Sequence, residues 1–439
     1  MSDAVPVPDR PRFDFLHGLR GLAALAIVLF HATLNAQGSS NPVLRALQQP
    51  LLHGYLAVSV FLVLSGFLLA VPVVTNGFAL RGGIGGFLRR RAIRILPPYY
   101  AAYVLDLLFF AGAIWLAGVT GLDPGGTVWH QREVGFGWSS VAAHLLLIHN
   151  ASFEWVVGMD AMLWSIACEW QIYLLFALVL VPVWHRAGSW AMLAVAAVAA
   201  AVIIEGCVRG WWMYVLPWMI PIFAIGALAA VVVVGEHPAA VAMRRWRWGL
   251  IATVTAAVAV AGVLLLDQLK AAEPPGVQPA RYYDWSFRVR WIYDVLAAVA
   301  TASFVTWLAV DIRRGGGTSR AAARTRSLLE SRPLFTLGLF SYSLYLTHGL
   351  VLVAVVRATE FLGHAPTLRA CVVMVAAVLI SLALAYVFYR VVERRCMSAE
   401  TRAMFTPAEA DRPRIPAHPA RRAAAASARP HDADRGSRP

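Results

Sequence analysis

The sequence predicts an all-α fold: a polytopic membrane helix bundle of about ten transmembrane helices with both termini cytoplasmic. Three observations lead there. The 439 residues are 59% hydrophobic with a mean hydropathy of +0.63, and only 14% are charged, too few to cover a soluble domain of this size. Apolar runs long enough to cross a bilayer recur from end to end. Lysine and arginine concentrate in alternate loops, as the positive-inside rule requires of a multi-pass chain.

The runs fall at about 13–34, 53–75, 97–118, 138–158, 162–183, 189–207, 213–234, 248–266, 291–311, 333–357 and 368–389. The weakest is 138–158, which carries His144, His149, Asn150 and Glu154 and is expected to be short or re-entrant; ten spans remain. With the N-terminus inside, the inner segments hold Arg10 and Arg12, the Arg81–Arg94 group, Arg186, the Arg244–Arg247 group, the arginines from Arg313 to Arg332 and those from Arg390 to Arg438. The formal charge of +14 therefore calls for anionic lipid headgroups as partners and not for nucleic acid. Four scattered cysteines without a C-x-x-C spacing imply neither a metal site nor a disulfide framework. The first run is too long for a signal-peptide core. Residues 1–11 read as a cytoplasmic lead, 12–397 as one membrane domain, and 398–439 as a disordered Ala/Arg/Pro-rich cytoplasmic tail. Residues 312–331 read as a glycine- and arginine-rich linker. No internal repeat is evident, which weakens a comparison with inverted-repeat transporters.

Inside the first run, in LRGLAALAIVLFHATL, Arg20 and His31 stand eleven positions apart. At about 100° per residue they share a face, roughly 16 Å apart along the axis. Ionisable residues at such depth face a protein interior and mark a pathway or a catalytic site. His31 suits a general base, and Arg20 an anchor for a phosphate, a carboxylate or a neighbouring acid. Packing within the bundle is the competing explanation. In VFLVLSGFLLAVP the Ser65-Gly66 pair suits close helix approach, because no G-x-S-x-G elbow accompanies the serine. In FLRRRAIRILPPYY, Arg91 and Arg94 share a face ahead of a proline break, where two guanidinium forks can hold a polyphosphate; an ordinary positive-inside cluster is the alternative. In MLWSIACEWQIYLLF, Ser165, Glu169 and Tyr173 repeat at i, i+4 and i+8, with Gln171 on another face. An arginine from another helix is the natural partner for so deep a glutamate, and a substrate-positioning role is equally open. In GLFSYSLYLTHGLVL, Ser341, Tyr345 and His348 form a polar stripe, so Ser165, Tyr173, Tyr345 and His348 are candidate substrate contacts. Glu393 beside Arg390 and Arg394 reads as a topological anchor at the inner surface.

Taken in order, LRGLAALAIVLFHA, FLVLSGFLL, RRRAIRILPPYY, LWSIACEWQIYLLF, SYSLYLTHGLV and FYRVVERR resemble the membrane acyltransferase-3 family, bacterial integral-membrane O-acyltransferases. The resemblance covers about residues 12–397. It implies an acyl-coenzyme A donor, acetyl-coenzyme A by family default, and no metal. The acceptor would be a hydroxyl of a glycan, lipid or macrolide-type metabolite, and the location the bacterial cell membrane. By the same resemblance His31 is the catalytic histidine with Arg20 its partner, Arg91 and Arg94 meet the coenzyme A phosphates, and Glu169 matches the first acid of a W-S-x-x-x-E-E-Q-F-Y pattern. Here Trp170 replaces the second acid and Ile172 the phenylalanine, which weakens any role that needs paired acids. The rival class is a proton-coupled transporter or flippase of an amphiphilic substrate, with Arg20, His31 and Glu169 as its relay.

Overall fold

The computed structural model describes residues 13–120, 136–158, 160–208, 216–271, 279–316 and 319–397. The lead at 1–11 and the tail at 398–439 lie outside them. Every regular element among the described residues is helical. The principal helices are α1 (Phe15–Asn35), α2 (Ala57–Val74), α3 (Gly83–Thr120), α4 (Trp164–Leu175), α5 (Val181–Val208), α6 (Met219–Val234), α7 (Trp248–Ala271), α8 (Pro279–Arg313), α9 (Ser341–Ala358) and α10 (Pro366–Val391). Eight stretches among the described residues are long and apolar enough to cross a membrane, and α6 is a shorter apolar helix. One stretch, Ala161–Glu205, is broken at Gly188, whose φ of 81° and ψ of 179° belong to a region only glycine enters without strain. Between α4 and that break, residues Phe176–Leu180 widen into a π-turn, which rotates the rest of the helix relative to the Ser165–Glu169–Tyr173 face.

The expected weak segment at 138–158 is three short pieces: Trp138–Leu145, a 3-10 turn at His149–Ala151, and Phe153–Val157. None is long enough to cross a bilayer. It is clamped to α4 by Gln171, whose amide donates to the Leu147 carbonyl (2.8 Å) and pairs with the Asn150 amide (2.8 and 3.2 Å).

Two sequence expectations are corrected. The prolines after Arg94 do not break the helix: α3 runs unbroken through Pro97 and Pro98 for 38 residues, a rise of about 57 Å against a hydrocarbon core of about 30 Å. The helix is therefore longer than a single crossing requires. The supposed linker at 312–331 contains a helix, Arg320–Leu329, capped by the Ser319 hydroxyl on the Ala322 amide (3.3 Å). Its run of Ala, Arg and Leu is strongly helix-forming, and Arg326 reaches Asp311 at 3.5 Å.

The core is built on the crossing of α2 and α6. A Cβ added to Gly66 would collide with the Phe223 carbonyl, and one added to Gly226 with the Val63 carbonyl, so each glycine admits the other backbone. Such close crossings replace the hydrophobic driving force that lipid removes. Phe223 then meets Phe176 edge-on at 5.1 Å, which seats α4 against the pair. A second apolar cluster joins Ala32 of α1 and Ala36 just after it to Val351 and Val355 of α9 and Val373 and Ala377 of α10. It fixes the end of α1 that carries His31. Outward stripes such as Val254, Val258 and Leu265 on α7 are exposed, as lipid-facing positions are. Gly226→Val should lower stability by about 1–3 kcal/mol, read as thermal unfolding in detergent. Gly112→Val on α3, with nothing within 4 Å of an added Cβ, should change little. Equal melting of the two variants would refute the close-crossing account.

Candidate active site

Two adjoining cavities open inside the bundle. One of about 560 Å³ is lined by Val58, Phe61 and Ser65 of α2, Ser165 and Glu169 of α4, Tyr345 of α9, and Arg20 of α1. The other, about 480 Å³, is lined by Arg91 and Arg94 of α3 together with Leu68, Leu69 and Tyr173. They share Arg20, Ser65, Glu169 and Tyr342. Six different helices, α6 through Met219 among them, thus converge on one interior space, and all the sequence-predicted site residues except His31 and His348 line it.

Those two histidines meet one ring further on. His31 Nδ1 lies 3.1 Å from His348 Nε2, with the rings stacked at 5.2 Å and 29°. His348 is buried and packs on Tyr345 (5.6 Å between centroids). Tyr345 donates its hydroxyl proton to the Met162 carbonyl (2.9 Å). With that proton committed, Ser165 must be the donor in its 2.5 Å bond to the Tyr345 oxygen. Tyr345 is therefore a fixed post between the cavity and the histidine pair. A separate pair, His144 and His149, stacks at 3.9 Å away from the cavities; burial and the neighbouring His144 push His149 down to about 3, so it stays neutral and serves packing.

The expected partner of Glu169 is corrected. Its carboxylate accepts from Ser65 Oγ (2.9 Å) and from the Tyr173 hydroxyl, and among the described residues no arginine lies within ion-pair distance. The helix-face reading of α4 found Glu169 and Tyr173 but could not show that Ser65, assigned to packing, would be the third member. Glu393 is corrected as well. It is fully buried, not an anchor at the surface: one oxygen accepts from Arg94 Nη2 (2.8 Å) and the other from the Ser343 amide (3.1 Å) and hydroxyl (2.5 Å). Sequence reading misplaced Glu393 and missed Ser343 and Tyr342, the last donating to the Ile95 carbonyl at 3.0 Å. The only signal available was an acid in an arginine-rich turn, which reads as surface.

The arginines are the unsatisfied members. Arg20 Nε, Arg91 Nε and Arg94 Nη1 are buried without a hydrogen-bond partner among the described residues, and all three side chains line the same cavity. Buried donors are nearly always paired, so three orphans on residues that line one space single it out as a candidate binding site. Their planar forks suit phosphate or carbonyl oxygens.

A double-mutant cycle tests the Glu169 assignment. Glu169→Gln and Ser65→Ala, combined, should show a coupling of about 1 kcal/mol in unfolding free energy. Absence of coupling would remove the Ser65 bond and reopen the arginine pair.

No solved structure matches this chain. Acyltransferase MdmB of Streptomyces mycarofaciens is 30% identical over 177 residues, which span 40% of this chain and 40% of that relative. The sequence profile described as an acyltransferase domain matches residues 13–386, nearly all of the helical body that forms the cavities. The chain belongs to the acyltransferase-3 family.

Proposed function

We propose that the chain is an integral-membrane O-acyltransferase that moves an acyl group, acetyl by family default, from acyl-coenzyme A to a hydroxyl of a glycan, lipid or macrolide-type metabolite. The observation that carries this reading is the cavity that leads from the orphaned donors of Arg91 and Arg94, past Arg20, to the post beside the His31–His348 pair. Coenzyme A is highly anionic and its thioester is at the far end of a long arm. A site with cations at one end and a base at the other fits that shape.

In this reading Arg91 and Arg94 bind the donor's phosphates. Arg20 lies roughly 16 Å along α1 from His31, too far to share a reacting carbonyl with it, so it grips the donor's arm. His31 takes the acceptor's hydroxyl proton while that oxygen attacks the thioester carbonyl carbon. The C–S bond breaks, and the proton passes to the departing sulfur, leaving ester and free thiol. A thioester is already activated, so a base and positioning suffice. Ser165, Tyr173 and Tyr345 hold the polar wall along the path. Breaking Ala161–Glu205 at Gly188 and adding α6 to the eight long helices supports ten crossings. The basic loops favour cytoplasmic termini and a cell-membrane location.

The test is transfer of labelled acetyl from acetyl-coenzyme A in membranes of an expressing bacterial host, counted in its glycan, lipid and small-metabolite fractions. His31→Ala should lower transfer by at least about 100-fold with acetyl-coenzyme A binding retained; near-normal transfer would sink the assignment. Arg91→Ala should weaken acetyl-coenzyme A binding by about 10-fold or more, more so at low salt, with thermal stability kept. Arg94→Ala should weaken binding and also destabilise, because it strands the buried Glu393 charge at a cost of ~3–5 kcal/mol. Unchanged donor binding in both variants would return these arginines to a topological role.

A further inference from the structure

We propose that His348 is a positioning residue, neither a ligand of the substrate nor a base, and that it fixes His31 in the tautomer with a proton on Nδ1 and a bare lone pair on Nε2. The proposal rests on the reading of His31 as the base and adds what holds that base ready.

Proton bookkeeping over two contacts gives the assignment. His348 Nδ1 lies 2.7 Å from the carbonyl oxygen of Tyr345. A carbonyl only accepts, so this nitrogen carries a proton. A neutral imidazole has one N–H, so His348 Nε2 presents a lone pair. That lone pair faces His31 Nδ1 at 3.1 Å, and the contact is a hydrogen bond only if His31 Nδ1 donates. His31 Nε2 is then unprotonated. In water the neutral ring prefers its proton on Nε2, the form useless to a base working through that atom. The nitrogen that carries the proton is set by the bond the other nitrogen makes. The partner is itself immobile: His348 is 1% exposed, its ring is held by the Tyr345 carbonyl of its own helix, and the Tyr345 hydroxyl is tied to Met162 and Ser165.

The titratable groups packed around the pair are few. Tyr345 stands on α9, Tyr55 lies beyond Phe30 (5.7 Å between rings), and the buried Asp160 carboxylate lies against Gly349. None of their side chains hydrogen-bonds either ring among the described contacts. When His31 accepts the acceptor's proton on Nε2, its Nδ1–H still donates to His348, so the transient cation keeps a partner without moving an atom. Return of that proton to the departing thiolate restores both neutral rings.

The direct measurement uses the whole chain in detergent micelles with ¹⁵N-labelled histidine near neutral pH, the His31 resonances being assigned by their loss in His31→Gln. Protonated and bare ring nitrogens differ widely in ¹⁵N shift. The expected spectrum has His31 protonated on Nδ1 and bare on Nε2; a proton on Nε2 overturns the proposal. Acetyl transfer supplies the second arm. A glutamine amide oxygen reaches about where His348 Nε2 stands, whereas methionine fills the space without an acceptor. His348→Gln should keep kcat within about 10-fold, and His348→Met should lose about 100-fold, with KM for acetyl-coenzyme A within about threefold in both. Equal losses in the two variants, or none in His348→Met, would overturn it. If either variant fails to fold, the wild-type spectrum alone decides. Transfer surviving in His31→Ala would fail the base reading itself. An inactive His31→Ala together with an Nε2-protonated His31 would fail only the role of His348.

Discussion

Glu393 has no exposed surface, and its two oxygens are met by Arg94 of α3 and by the backbone and side chain of Ser343 in α9. A carboxylate removed from water costs several kcal/mol unless it is paired and hydrogen-bonded, so these three segments cannot separate without exposing that cost. The same contact sets the position of Arg94, and through α3 the wall of the cavity that holds Arg91. It also fixes the first turn of α9, two turns ahead of His348. One satisfied ion pair thus ties the basic end of the site to the helix that carries its histidine.

The contrast between satisfied and unsatisfied charge separates scaffold from site. Asp294 is buried and fully answered by Ser59 (2.8 Å), Trp218 (2.8 Å) and Arg290 (3.7 Å); nothing about it calls for a ligand. Arg20 and Arg91 line a cavity and carry buried donors that no group among the described residues meets. Arg94 is both: one nitrogen holds Glu393 and another is buried without a hydrogen-bond partner among the described residues. Were the arginines only topological, they would face water or headgroups and would not need an interior space. Their inward placement is what gives the family membership a physical site to act in.

Hydropathy and charge in the sequence located the helices, because lipid imposes length and loop charge on any chain that crosses it. Position along one helix was legible too: Arg20 with His31, and Ser165 with Glu169 and Tyr173, follow from 3.6-residue periodicity alone. Partners across helices were not. A helix face shows where a side chain points but not what it meets, so the His31–His348 contact, 317 positions apart, had no sequence signal, and Glu169 drew an arginine by charge where the structure supplies hydroxyls from Ser65 and Tyr173. Glu393 was misplaced because neighbouring arginines imitate a surface, and Pro97-Pro98 because local proline propensity alone does not decide whether a long helix continues.

The distance along α1 has a consequence for substrate choice. Arg20 sits in the wall shared by both cavities, and His31 stands three turns further, behind Tyr345. A small anion bound at the arginines would leave its reactive atom far from the histidine. With His31 as the proposed base and the arginines as the proposed phosphate contacts, a donor needs a long, uncharged arm between its phosphates and its acyl group to reach both. The wall between them, with Val58 and Phe61 on one side and Ser165 and Tyr345 on the other, offers apolar surface interrupted by hydroxyls, which suits an arm built of methylenes and amides. On the proposed reading, two fixed points on one rigid helix select the donor by length before any atom of the acyl group is recognised.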